Sequence, residues 1–419
     1  MARKARIQRL EFPAGRRVLV VSDIHGSLPL FQSLLDKAGY GPDDILVLLG
    51  DLVEKGQDSL AVLRYVMDLS TRRTVYCVKG NCDDLVTEFV DSPQVRPEFF
   101  HHYLNVWRNR CTLLQMGQEA GFETRSPEDL PALRQVILDH FGPELAFLKS
   151  MPEILLTPDY LFVHGGVEDE DRLEDMEAWR CMKNDNFLDQ GRVFRRWCIV
   201  GHTPVTLYHP HIPTSNPLIS QAQHIVSIDG GCALHLDAQL NALVLPQTPG
   251  ENFTFFAYDG LPTAMALDRQ EETAESANVR WGHNQVEVLL RGGALCRCRH
   301  LESGREVDVL TDYLYRSGDQ TLCKESTDYR PAVEPGDILS IVRRLADRAL
   351  VKKNGVTGWY FGRLCRPPQT KKGAAAHGSG PFSSSYSSQS ANSTSSMQSS
   401  HLPEIRPFTL QTSSMILSQ

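Results

Sequence analysis

Val18-Leu19-Val20-Val21-Ser22-Asp23-Ile24-His25-Gly26 is the stretch on which the reading of this chain turns. Its apolar run does not alternate with polar residues, so Val18–Val21 reads as a strand covered on both faces. The polar residues that end it bring a carboxylate and an imidazole to the strand's carboxyl end, where layered α/β sheets form their ligand sites. The pattern then repeats. Ile45–Leu49 leads into Gly50-Asp51, and residues 75–78 lead into Gly80-Asn81-Cys82-Asp83. Tyr160–Val163 leads into His164-Gly165-Gly166, and residues 198–200 into Gly201-His202-Thr203. Helical periodicity over 28–38 and 59–69 separates the first three strands, and further strands are predicted at 225–228, 242–245 and, as an edge, Thr254–Tyr258. The fold class is α/β.

Any one of these motifs is as readily a turn or a helix cap. Their order is what carries chemistry: Asp23, Asp51, Asn81, His164 and His202 follow at separations of 28, 30, 83 and 38 residues, each at a strand end. With His25 they supply three oxygen and three imidazole ligands, a set that suits manganese, iron or zinc. Two such ions ~3.5–4 Å apart can clamp a phosphoryl group and activate a water for in-line attack. Asp51 is the candidate bridging carboxylate. Asp23 and His25, two residues apart, can turn to one ion through the bend at Gly26, and Asn81, His164 and His202 serve the other.

The 419 residues are enough for one large core and a smaller one. Charge is uneven: residues 1–282 hold 26 Lys+Arg against 39 Asp+Glu (−13), and 283–366 hold 14 against 11 (+3). An acidic first part argues against a nucleic-acid partner, which needs a basic track. Ten cysteines scattered through a chain this long, several inside apolar runs, read as buried free thiols in a reducing compartment. No run approaches the ~20 apolar residues of a membrane span, so the expected location is cytoplasmic, with no membrane partner. Residues 84–150 form a mostly helical insertion between ligand-bearing strands, the place where a cap over the site, or a plain packing elaboration, grows. Short strands at Val286–Leu290, 338–342, 349–351 and 358–362, with the Asn354-Gly355 turn, read as a small all-β, barrel-like module of the Src-homology-3 kind. Twelve of the 22 residues from 379 to 400 are serine, so 367–419 is expected to be a disordered Ser-rich tail.

Taken together, Ser22–Gly26, Gly50-Asp51-Leu52-Val53-Glu54-Lys55-Gly56, Gly80–Asp83, Phe162–Gly166, Gly201-His202-Thr203-Pro204-Val205 and Ile228-Asp229-Gly230-Gly231-Cys232 resemble the calcineurin-like metallophosphoesterases, close to bacterial protein Ser/Thr phosphatases and symmetrical dinucleoside-tetraphosphate hydrolases. The resemblance covers roughly residues 17–245. It implies a four-layer αββα sandwich and two divalent ions, manganese first, with iron, zinc or nickel as alternatives. Asp23, His25 and Asp51 would hold one ion; Asp51, Asn81, His164 and His202 the other. It implies catalytic roles for Asp51, Lys55, Cys82 and Asp83, and phosphate contacts from Lys55, Asn81 and Arg180, with Lys183 the alternative to Arg180. Three positions depart from the family: Glu54 and Lys55 stand where it has an aspartate and a phosphate-gripping arginine, the lysine losing the bidentate fork, and Cys82 where it has an acid histidine. The domains expected are a catalytic domain over 1–275, the β module over 283–366 and the tail. The expected function is a phosphoesterase acting on phosphoproteins. Dinucleoside-polyphosphate or nucleotide hydrolysis is the alternative, and a catalytically weak scaffold a third reading; the β module would recruit a protein partner.

Overall fold

A computed structural model describes residues 3–92 and 97–368. Val18–Val21 lies at the centre of a five-stranded sheet, in the order Thr254–Tyr258, Leu240–Val244, Val18–Val21, Ile45–Leu49, Thr74–Val78. The last three run parallel, with a helix supplying each crossover that parallel neighbours need, while Leu240–Val244 returns antiparallel and Thr254–Tyr258 forms the edge. A six-stranded sheet lies against it, ordered Ile7–Arg9, Ile154–Leu156, Tyr160–Val163, Trp197–Val200, Ile225–Ser227, Leu218–Ser220. Val18, Val20, Val47 and Leu49 from the first sheet pack on Phe162, Ile199 and Val226 from the second, all buried at 5% exposure or less. The alternate residues of the same strands face outward into helices, which is why the runs carry no polar residue.

Helix Leu28–Lys37 covers the five-stranded sheet with Phe31, Leu34 and Leu35, spaced three and four apart on one face. Pro29 sits in its first turn, and Gly39, at φ +59°, takes the left-handed conformation that ends it. Helix Ser59–Arg72 packs beside it. On the outer face of the six-stranded sheet, Leu173, Met176, Cys181, Phe187 and Leu188 come from short helical turns and cover Leu161, Val163, Cys198 and Val200. Four layers result: helix, sheet, sheet, helix. The insertion comprises helices Asn81–Asp91, Pro97–Trp107, Thr112–Glu119, Leu130–His140 and Gly142–Ser150.

The β-rich part begins earlier in the chain than its sequence pattern indicates. Thr263–Ala266 pairs with Ile338–Arg344 in a second five-stranded sheet that also holds Ala349–Lys353, Val356–Tyr360 and Leu364–Cys365. A three-stranded meander, Val286–Leu290, Leu295–His300 and Glu306–Leu310, shares a core with it through Cys296, Cys298, Val307, Leu350 and Trp359. Asn354 and Gly355, at φ +50° and +81°, form the expected hairpin turn. The described residues up to Pro367 form one compact unit. Of the expected tail, residues 369–419 lie outside the described residues. No helix among the described residues is long and apolar enough to cross a membrane.

Candidate active site and metal centre

Every predicted ligand sits in the first residues after its strand, and the backbone there is bent to aim it inward. Asp23, His25, Asp51 and His202 all have positive φ, between +46° and +66°, and Glu54 and Lys55 lie at +71° and +66°. Such conformations are unfavourable for residues with a Cβ and persist where the surrounding structure enforces them, most often at functional sites. The enforcement is visible. Asp23 N–H donates to the Gly50 carbonyl (3.1 Å) and His25 N–H to the Asp51 carbonyl (2.9 Å), lacing two strand ends together. Gly80 allows a close approach that any side chain would prevent, since a Cβ there would meet Asp51 Oδ1 at 2.2 Å.

The six side chains converge. His25 Nε2 lies 3.7 Å from both Asp23 Oδ1 and Asp51 Oδ2. On the other side of Asp51, His164 Nε2 lies 3.4 Å from its Oδ1 and 3.2 Å from Asn81 Oδ1. Asp51, His164 and His202 present ligand atoms within 4.8 Å of one another, as do His25, Asp51 and Cys82. Asp51 belongs to both groups, as a bridging carboxylate must. Hydrogen bonds fix the imidazoles: His164 Nδ1 donates to the Leu49 carbonyl (2.6 Å) and His25 Nδ1 to the Val53 carbonyl (3.3 Å), leaving each Nε2 lone pair toward Asp51. His202 Nε2 donates to Asp185 (2.8 Å), which leaves its Nδ1 for the centre.

The electrostatics call for cations. Asp23, Asp51, Asp83 and Asp229 are all exposed by 1% or less, and Asp229 Oδ2 has no hydrogen-bond partner among the described residues. Burying that much negative charge is costly unless it is matched. Burial and then the neighbouring Asp229 push the Asp23 carboxyl well up. Burial alone would depress the His164 imidazole, yet Asp51 and Asp23 hold it up at about 9, the mark of negative charge gathered around Nε2. His25 and His202 are lowered to about 3, by burial first and then by Lys55 and Lys183 respectively, which keeps them neutral as ligands must be. Two divalent ions fit this donor set and this charge.

Other expected residues fall differently. Lys55 reaches the centre, its Nζ 3.4 Å from His25 Nε2. Asp83 was expected among the catalytic residues, but its carboxylate is directed at backbone: Oδ2 accepts from Gly80 N (3.0 Å) and Asp51 N (2.9 Å), and Oδ1 from Leu52 N (3.0 Å). It is a positioning residue. Arg180 does not join the cluster. It lies on the short helix Ala178–Met182 with 60% of its side chain exposed and pairs with Glu168 at 3.4 Å. Lys183, just past that helix, is the cation beside the centre, 3.2 Å from His202 Nε2 and 2.7 Å from Asp185. Cys82 is 4% exposed, and burial pushes its thiol well above the usual range.

Three contributors were not assigned roles from sequence. Asp185 lies in a loop with no periodicity to mark it. Asp229 sits in a quoted motif but without a role. Glu54, fully buried, accepts from Tyr103 Oη (2.8 Å) and Thr112 N (2.8 Å), tying the insertion to the loop that carries Lys55. Only the substitution of Glu54 for the family's aspartate could have drawn attention to it.

Fold and donor set together are those of a centre able to hold divalent ions at the carboxyl ends of its strands. The chain belongs to the calcineurin-like phosphoesterases, matching that family over residues 16–225, half of its length. A 65-residue stretch is 51% identical to a symmetrical bis(5'-nucleosyl)-tetraphosphatase of Glaesserella parasuis, covering 15% of this chain and 23% of that protein. The asymmetrical bis(5'-nucleosyl)-tetraphosphatase PrpE of Halalkalibacterium halodurans is 24% identical over 243 residues, 54% of this chain and 89% of that protein. The chain thus spans about a quarter of the first relative's length and most of the second's. Among solved structures, a Saccharomyces cerevisiae protein serine/threonine phosphatase is 13% identical with a TM-score of 0.37, covering 62% of this chain and 84% of that one.

Proposed function

We propose that this protein hydrolyses phosphoanhydride bonds of nucleotides, with dinucleoside polyphosphates as the substrate class, at two divalent ions held by Asp23, His25, Asp51, Asn81, His164 and His202. The observation that carries the catalytic part is the sharing of Asp51 by two donor groups, His25–Asp51–Cys82 and Asp51–His164–His202. The ions, when bound, supply Lewis acidity toward phosphoryl oxygens and lower the pKa of water at the site. Lys55 adds the positive charge that draws a phosphate chain to the His25 side, and Lys183 does so beside His202. Lys183 replaces Arg180 as the second phosphate contact because it, not Arg180, adjoins a ligand.

Cys82 supports the anhydride over the phosphoprotein. An alkoxide leaving group such as serine's needs a proton in the transition state, and a thiol of ordinary pKa ~8.5 is no substitute for an imidazolium. A phosphate leaving group needs little protonation. The names of the two tetraphosphatase relatives agree with this choice. A scaffold role has weaker support, since all six donors are retained and drawn together. In the same reading residues 1–275 hold the catalytic machinery, and 283–366 form a recognition module for a protein partner. A substrate panel with manganese tests the proposal: kcat/KM for diadenosine tetraphosphate and p-nitrophenyl phosphate is expected to exceed that for phosphoserine peptides. Equal or higher kcat/KM on phosphoserine overturns it.

A further inference from the structure

Cys82 has a second aspect that its loss of the acid role does not explain. It is buried at 4% exposure, and its sulfur lies within 4.8 Å of the ligand atoms of His25 and Asp51, which also lie that close to each other. Its own backbone N–H donates to Asp51 Oδ1 at 2.8 Å, so the residue is fixed to the shared carboxylate. Lys55 Nζ, 3.4 Å from His25 Nε2, brings a cation to the same pocket. An aspartate oxygen, an imidazole nitrogen and a sulfur gathered in one buried group are the donor types that zinc takes at bond lengths of ~2.0–2.3 Å.

We propose that Cys82 is itself a ligand: with His25 and Asp51 its sulfur holds the first ion as a thiolate, so that this position takes zinc in preference to manganese. The inference rests on the two-ion reading above and deepens it. The step balances simply. The S–H bond breaks as the metal–sulfur bond forms, the sulfur keeps the electron pair, and the proton leaves to solvent, with no change of oxidation state. A soft thiolate beside nitrogen and oxygen favours zinc, cobalt or ferrous iron over the hard ions that an all-oxygen and imidazole site tolerates.

Cobalt(II) titration of the metal-stripped full-length protein tests this, because cobalt occupies zinc sites and reports sulfur ligation through a near-ultraviolet charge-transfer band. The expected result is two equivalents bound, with the band growing alongside one of them and bleached by added zinc. Cys82→Ser is expected to bind cobalt without the band, and Cys111→Ser, altering the buried thiol near Glu54, to keep it. Cys82→His serves the same comparison where the serine variant does not fold. Two equivalents bound with no band, or a band undiminished in the Cys82 variants, overturns the proposal while leaving the two-ion reading standing. Fewer than two equivalents in the wild type overturns both.

Discussion

His164 Nδ1 lies 2.6 Å from the carbonyl oxygen of Leu49, the last residue of the strand that delivers Asp51. One hydrogen bond therefore sets the tautomer of a proposed ligand on the six-stranded sheet from the end of the five-stranded one. The cluster forms only where the two sheets meet, and its side chains are oriented by backbone as much as by each other.

Asp83 makes that orientation testable without touching a ligand. Asp83→Asn replaces one carboxylate oxygen by an amide nitrogen that cannot accept from backbone N–H, leaving a buried donor among the Asp51, Leu52 and Gly80 amides unpaired. The expected cost is ~1–3 kcal/mol of stability, a Tm lowered by several degrees in thermal unfolding, and a reduced metal affinity. Unchanged Tm and metal affinity would remove Asp83 from its positioning role.

Tyr103→Phe tests the docking of the insertion. The variant removes the hydroxyl that donates to buried Glu54, at an expected ~1–3 kcal/mol, and loosens the loop carrying Lys55. Limited proteolysis within 84–150 is expected to quicken. Lys55→Ala, by contrast, is expected to raise KM mainly and leave Tm near that of the wild type.

Cys82→His restores the acid type of the family at that position. Rates on alkyl phosphates are expected to rise by ~10²-fold relative to those on anhydrides, the lower end of the range assigned to general acid catalysis. Parallel changes on both substrate classes would count against the leaving-group explanation.

The pH dependence of stability has a separable contributor at the junction with the β-rich part. Burial alone would lower the His235 imidazole, but the Glu325 carboxylate, 3.1 Å from Nδ1 in an ion contact without hydrogen-bond alignment, lifts it to about 9. A histidine raised above its unfolded pKa of about 6.5 contributes stability that is fully present below that pH and is lost as pH climbs through 9. His235→Gln is therefore expected to lose less stability than the wild type between those values in denaturant titrations. Identical slopes would show that the pair does not titrate as described.

Much of the layered α/β part was legible because each proposed ligand follows a continuous apolar run, and burial on two faces leaves that signature in a single sequence. Glu54 and Tyr103 were not, because 49 residues separate them and neither position has a local pattern that names the other. Arg180 and Lys183 show the limit of motif reading. They lie three residues apart around the end of a five-residue helix, and only packing decides which one meets His202 and which meets Glu168. Thr263–Ala266 escaped notice for a related reason: a four-residue strand without a β-branched run is specified by its partner at Ile338–Arg344, not by itself.

Metal analysis of the wild type and Asp51→Asn after equilibration with manganese bears most directly on the shared carboxylate. The wild type is expected to retain two ions per chain. The variant is expected to hold fewer than one and to lose ~10³-fold or more in turnover, since a single substitution strips charge from both positions. An Asp51→Asn protein that keeps both ions would mean the two donor groups do not share that side chain, and the centre would have to be built another way.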